Sequence, residues 1–100
     1  MNMQALMAQA QKMQREITKK KEELDNMEFE GHSELVDVIM SGKKEILSVK
    51  IKCEGTLDSD DVEALEDMIK IAVNDAVNKI EKETEKQLGS YNAGGLGGLF

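Results

Sequence analysis

SDDVEALEDMIKIAVNDAVNKIEKETEKQL, residues 59–88, contains neither proline nor glycine and is built mostly from good helix formers. Val62, Leu65, Ile69, Ala72, Val73, Ala76, Val77 and Ile80 recur at steps of three and four, which at 3.6 residues per turn gathers them on one face. The spacing predicts one long helix. Asp58 or Ser59 stands where it can accept from the first free amides, the acids that follow suit the positive end of the helix dipole, and Gly89 is the expected stop. A helix of about 30 residues spans roughly 45 Å, whereas a compact domain of this length has a radius of gyration of roughly 13 Å. One small protomer leaves part of such an apolar face bare, so a second chain is expected to help bury it.

Upstream, Met1 to about Met27 carries Met3, Leu6, Ala10, Met13, Ile17, Leu24 and Met27 in alternating steps of three and four, interrupted only at Lys20. This heptad-like seam favours a narrow helix-to-helix contact; an ordinary amphipathic core helix is the plainer alternative. Between the helices lie three short strand candidates, at 27–33, 35–41 and 45–53. Val36, Val38 and Met40 share one face of the second, and Leu47, Val49, Ile51 and Cys53 are expected inward on the third. Ser41-Gly42-Lys43-Lys44 makes these two a hairpin, with Gly42 expected at the left-handed position. Downstream, Ser90–Phe100 (SYNAGGLGGLF) is glycine-rich and uncharged, and a flexible tail is expected there. The order predicts an α+β fold: helix, three-stranded antiparallel meander, long helix, with residues 1–88 as a single domain and 89–100 as the tail.

Aromatic residues are scarce, so the core is expected to be aliphatic and methionine-rich, with Phe29 the one aromatic inside. The single Cys53 excludes an internal disulfide and suits a reducing compartment. No apolar run approaches the 18 or so residues of a membrane span, and the N-terminus lacks a signal-peptide apolar region. A soluble cytoplasmic protein with no membrane partner is expected.

The net charge of −7 argues, taken whole, against nucleic acid, but it is unevenly spread. Residues 1–21 with 77–88 carry eight basic and four acidic side chains, a balance of +4; residues 22–76 carry five basic and sixteen acidic, a balance of −11. If the two long helices lie antiparallel, the N-terminal half of the first falls beside the C-terminal half of the second, and the molecule has basic arms on an acidic body. Lys12, Arg15 and Lys19 are spaced three and four apart, opposite the Leu6/Met13/Ile17 seam, and Lys79, Lys82 and Lys86 repeat that spacing. Basic stripes of this kind suit a phosphate backbone, since lysine and arginine attract it without reading bases. Solvated helix faces with nearby glutamates are the plainer alternative.

Little else offers chemistry. His32 is the sole histidine and sits in an expected turn, Cys53 has no second thiol or histidine near it, and Asp58, Asp60 and Asp61 lack the glycine turn and distal glutamate of a cation loop. The Gly94-Gly95 and Gly97-Gly98 pairs follow a helix and open none, unlike a phosphate loop. No enzyme activity, metal, cofactor or small-molecule substrate is expected. Ile71 lies nearly opposite the seam of the long helix and Met68 off its edge; with Val36 and Val38 they are candidates for contact with a partner chain, and sheet-facing core is the plainer alternative for the two helix residues.

These patterns together resemble the YbaB/EbfC family of nucleoid-associated proteins over nearly the whole chain. The resemblance is carried by LMAQAQKMQREI (Leu6–Ile17), LVDVIMSGKKEILSVKI (Leu35–Ile51), DDVEALEDMIKIAVNDAVNKIEKE (Asp60–Glu83) and the closing GGLGGLF. Two stretches depart from the family pattern: His32-Ser33-Glu34 replaces a glycine-rich turn, and Ile51-Lys52-Cys53 stands where Ile-Asp-Pro is usual. The resemblance implies a homodimer with protruding helical arms, located at the nucleoid, that binds DNA with low or broad sequence preference. On that reading the arms present Lys12, Arg15, Lys19, Lys20 and Lys21, with Lys79, Lys82 and Lys86 in support. The alternative is a protein-interaction module that uses the helical seam or the C-terminal tail.

Overall fold

The computed structural model describes residues 2–91. Its elements are α1 (Met3–Asp25), β1 (Glu28–His32), β2 (Val36–Ser41), β3 (Ile46–Ile51) and α2 (Asp61–Tyr91), which is the helix–meander–helix order that periodicity predicts. α1 begins where Asn2 caps it, its side-chain oxygen accepting from the Gln4 amide at 3.0 Å. α2 begins after a turn in which the Asp58 carboxylate accepts from the Asp60 amide and that of Asp61 from the Asp58 amide, at 2.9 and 3.0 Å.

Gly89 does not end α2. The helix continues to Tyr91 because α1 holds that residue: Lys20 Nζ lies 5.0 Å from the ring centroid, and the hydroxyl is 3.4 Å from both Lys20 Nζ and Glu16 Oε2. Such anchoring offsets the cost of glycine in a helix interior, about 1 kcal/mol. Tyr91 is therefore a second aromatic packed on the core, beside Phe29. The rest of the expected tail, residues 92–100, lies outside the described residues.

The strands form one antiparallel sheet in the order β1-β2-β3. Val36, Val38 and Met40 point from the central strand into the core, and Phe29 and Gly31 do so from β1. α2 crosses this face so closely that a Cβ on Gly31 would stand 1.9 Å from the Ala72 carbonyl oxygen. Small residues on both sides, Gly31 against Ala72 and Ala76, let the backbones approach. The hairpin after β2 departs from expectation: Lys44, with φ 66°, takes the left-handed position. Gly42 is there for space, since a Cβ would fall 1.8 Å from the Leu24 carbonyl oxygen at the end of α1.

β3 also departs from its alternation pattern. Val49 and Ile51 pair with Val38 and Val36, so they share the face that α2 covers, yet α2 packs on β1 and β2 and leaves β3 bare. Ile46, Leu47, Val49 and Ile51 are all 43–52% exposed. Ser48 faces Ile39 while Ile46 faces Met40, which makes Leu47 the extra residue of a bulge. Cys53, expected inside, is only partly covered.

The two helices run antiparallel, with a different overlap from the one expected. Leu24 and Lys21 lie beside Ile80 and Thr84, and Glu16 and Lys20 beside Tyr91. The C-terminal half of α1 thus pairs with the C-terminal third of α2. Residues 3–16 of α1 are exposed on every side, and the molecule is drawn out to 71 × 19 × 15 Å.

Candidate nucleic-acid interface

Ile17 and Leu24 are the buried residues of α1 and fix which side faces α2. At about 100° per residue, Lys12, Arg15 and Lys19 cluster on one stripe centred roughly 155° away from that side. The structure therefore brings these three together on the outer surface of the arm. On α2 the arm seam is marked by Ile80 and Leu88, and Lys82 and Lys86 lie roughly opposite it by the same arithmetic. The two stripes face away from each other rather than forming one surface.

Two of the remaining basic candidates, Lys20 and Lys79, have partners. Lys20 and Lys21 flank the interhelical seam on opposite sides, Lys20 on Tyr91 and Lys21 in a groove lined by Glu81 and Glu85. Lys79 is tied down near the sheet, where its Nζ donates to the Glu30 carbonyl at 2.7 Å and pairs with Asp75 at 3.3 Å. Among the described residues, no ion pair engages Lys12, Arg15, Lys19, Lys82 or Lys86; the pairs that form use Lys44, Lys52, Lys70, Lys79 and His32. A cation without a carboxylate partner keeps its full attraction for an incoming phosphate.

At the opposite end lies a charged cluster that the sequence did not announce. The His32 amide donates to Asp75 Oδ2 at 2.9 Å, His32 Nδ1 donates to Asp37 Oδ1 at 2.8 Å, and Lys52 reaches the same Asp37 oxygen at 3.1 Å. The His32 ring, then Lys52, holds the Asp37 carboxyl below its ordinary value. The His32 amide, against partial burial and helped by Lys79, does the same for Asp75. These bonds pin α2 to the outer edge of β1. Only the Asp75–Lys79 spacing of four is visible in the sequence; His32 meets Asp37 across the turn between β1 and β2, Lys52 comes from β3's far end, and the bond to Asp75 joins residues 43 apart. Tyr91 was missed for the same reason.

Of the residues considered for a second chain, Val36 and Val38 are 0% exposed and sit in the protomer's own core with Ala72. Met68 packs at the edge of that cluster, and Ile71 is exposed. Among the described residues, no three His, Cys, Asp or Glu side chains are grouped to hold a metal ion, and no helix is long and apolar enough to cross a membrane.

Fold and surface thus define a small helix–meander–helix protomer with a basic helical arm on an acidic body. The chain belongs to the YbaB/EbfC DNA-binding family, which it matches over residues 1–96. It is 45% identical to a nucleoid-associated protein of Lactococcus lactis subsp. lactis, covering 94% of this chain and 96% of that protein. A nucleoid-associated protein of Enterococcus faecalis is 45% identical over 93% of this chain and 90% of its own length. One of Ligilactobacillus salivarius is 42% identical, with 92% and 89% covered.

Proposed function

We propose that this protein is a non-enzymatic, nucleoid-associated protein of the cytoplasm that binds duplex DNA as a homodimer, through the phosphate backbone and with little sequence preference. The observation that carries this reading is the Lys12/Arg15/Lys19 stripe: three cations on the outer face of α1, without ion-pair partners among the described residues, on a helix that has no acid before Glu16. Lys20, Lys21, Lys82 and Lys86 add to the local field. Lys79, held by Asp75 and Glu30, contributes least.

The homodimer is supported by the uncovered face of β3. Val49, Ile51, Ile46 and Leu47 make an apolar strip beside α2 that a protomer of this size does not bury, and a second copy of the same strip is its natural complement. Each dimer then carries two arms.

Fluorescence anisotropy with two unrelated duplexes at low and near-physiological salt tests the reading. Contact with about four to six phosphates gives a slope of log K against log salt of roughly −4 to −5. The variant K12E/R15E/K19E is expected to lose at least tenfold in affinity for both duplexes alike. Binding that ignores salt, or a loss confined to one sequence, overturns the backbone mechanism.

A further inference from the structure

Before Glu16, α1 runs clear of α2. Met3, Leu6 and Met13 are 71%, 42% and 41% exposed, and Ala10 is exposed with them. At 100° per residue these four fall within about 40° of buried Ile17, so they continue the apolar seam that packs on α2 lower down. Three turns of helix are marginal in water unless such a face is covered.

The four positions match one another. When two arms run antiparallel and cross at residue 8, Met3 of each lies opposite Met13 of the other. Leu6 of each then lies opposite Ala10 of the other, a large side chain against a small one, twice over by symmetry. Charge favours the same arrangement. Lys12, Arg15 and Lys19 lie about 140° or more from the Ile17 direction, on the far side of the helix, so no cation enters the contact. Gln9 and Gln14, which flank the seam, are uncharged. Parallel arms would set Ala10 against Ala10 and bring two bodies of balance −11 side by side, whereas antiparallel arms send those bodies to opposite ends. Two such stripes bury less than the roughly 1,200 Å² of a stable complex, so the contact is weak and needs more protein than the homodimer proposed above.

We propose that the arm tip is a second self-association surface, on which Met3, Leu6, Ala10 and Met13 pair antiparallel with the same residues of another copy. It is separate from the β3 strip, so copies joined through both surfaces build assemblies larger than a dimer. The Lys12/Arg15/Lys19 stripes stay on the outside of each arm pair. The contact itself does not depend on how β3 is covered.

The test uses full-length chains carrying C53S, in which only an introduced thiol reacts. Under mild oxidation a mixture of L6C and A10C chains is expected to form disulfide at least fivefold faster than either chain alone. A8C, at the same height on the far side of the helix, should cross-link no faster than random collision. In sedimentation equilibrium the mean mass of the wild type should rise above that of a dimer as its concentration approaches about 1 mM, the scale of a weak contact. L6N/M13N, altered only at exposed positions, should not rise, and added salt should not reverse the growth. V49D/I51D chains should give the same 6-to-10 cross-link, which separates this contact from the β3 dimer. Equal rates in mixed and single samples overturn the proposal, as does A8C cross-linking as fast as the L6C/A10C mixture. A wild-type mass that L6N/M13N reproduces at every concentration overturns it as well.

Discussion

Gly31 and Gly89 show how differently one residue type is used in this chain. At Gly31 the obstacle to a side chain is backbone, the Ala72 carbonyl oxygen at 1.9 Å, which cannot move without lifting α2 off the sheet. Gly31→Ala is expected to destabilise the fold by roughly 1–3 kcal/mol. At Gly89 the nearest atom is the carboxylate end of Glu85, a side chain that swings aside, and the backbone is already helical. Gly89→Ala is expected to stabilise by up to about 1 kcal/mol. Urea unfolding of the two variants checks both signs. The same scale sets an acid limit. Asp37 and Asp75 stay ionised in the fold to lower pH than in the unfolded chain, so their contribution is complete above the ordinary value of 3.8 and is lost as pH falls through the folded values. The difference in urea midpoint between the wild type and D37N/D75N should be present at pH 5 and close below about pH 4. A difference that stays constant down to pH 2 would mean that these carboxylates do not gain their stabilisation as charged groups.

At the scale of elements, legibility followed the range of the interactions. Both helices and the meander were readable because periods of 3.6 and 2 are local: Ile17 and Leu24 of α1 and Val36, Val38 and Met40 of β2 are buried as their spacing predicts. The left-handed residue of the hairpin was misassigned to Gly42 because a glycine needed for space next to Leu24 looks identical in sequence to one needed for its φ angle. The end of α2 was misplaced because Tyr91 is secured by residues 71 and 75 positions away. Strand β3 is the instructive case. Its alternation gives the right direction for Val49 and Ile51, whereas the bulge brings Ile46 rather than Leu47 opposite Met40, and no local pattern says whether the protomer itself supplies the cover. The aspartate variant V49D/I51D distinguishes a strip that stays wet from one that a second copy covers. Sedimentation equilibrium should give a dimer for the wild type and a folded monomer for the variant; a wild-type monomer removes the homodimer. The basic stripe was legible as a spacing, whereas the opposed orientation of Lys12/Arg15/Lys19 and Lys82/Lys86 required the partner seam to be known.

For the molecule as a whole, the decisive quantities are the 71 Å length and the separation of charge along it. A balance of +4 on the residues of the arms and −11 on those of the body cannot be averaged when the ends lie several Debye lengths apart, about 8 Å each at physiological salt. A polyanion meets an attractive tip and a repulsive body, so approach is directed arm first, and the association rate should fall as salt is added. The body still exacts a penalty on each contact, which makes one arm a weak ligand and two linked arms a much better one. In the proposed homodimer, dimerisation and DNA affinity are coupled through the β3 strip, although none of its residues belongs to the basic stripe. The V49D/I51D monomer keeps Lys12, Arg15 and Lys19 unchanged, so it should still bind duplex DNA without sequence preference. With one arm instead of two it contacts half as many phosphates, and its salt slope should drop to about half that of the wild type, roughly −2 to −2.5. Its affinity at low salt should be at least tenfold weaker. An unchanged slope in a proven monomer would mean that a single arm makes all the phosphate contacts, and that the dimer serves some purpose other than binding strength.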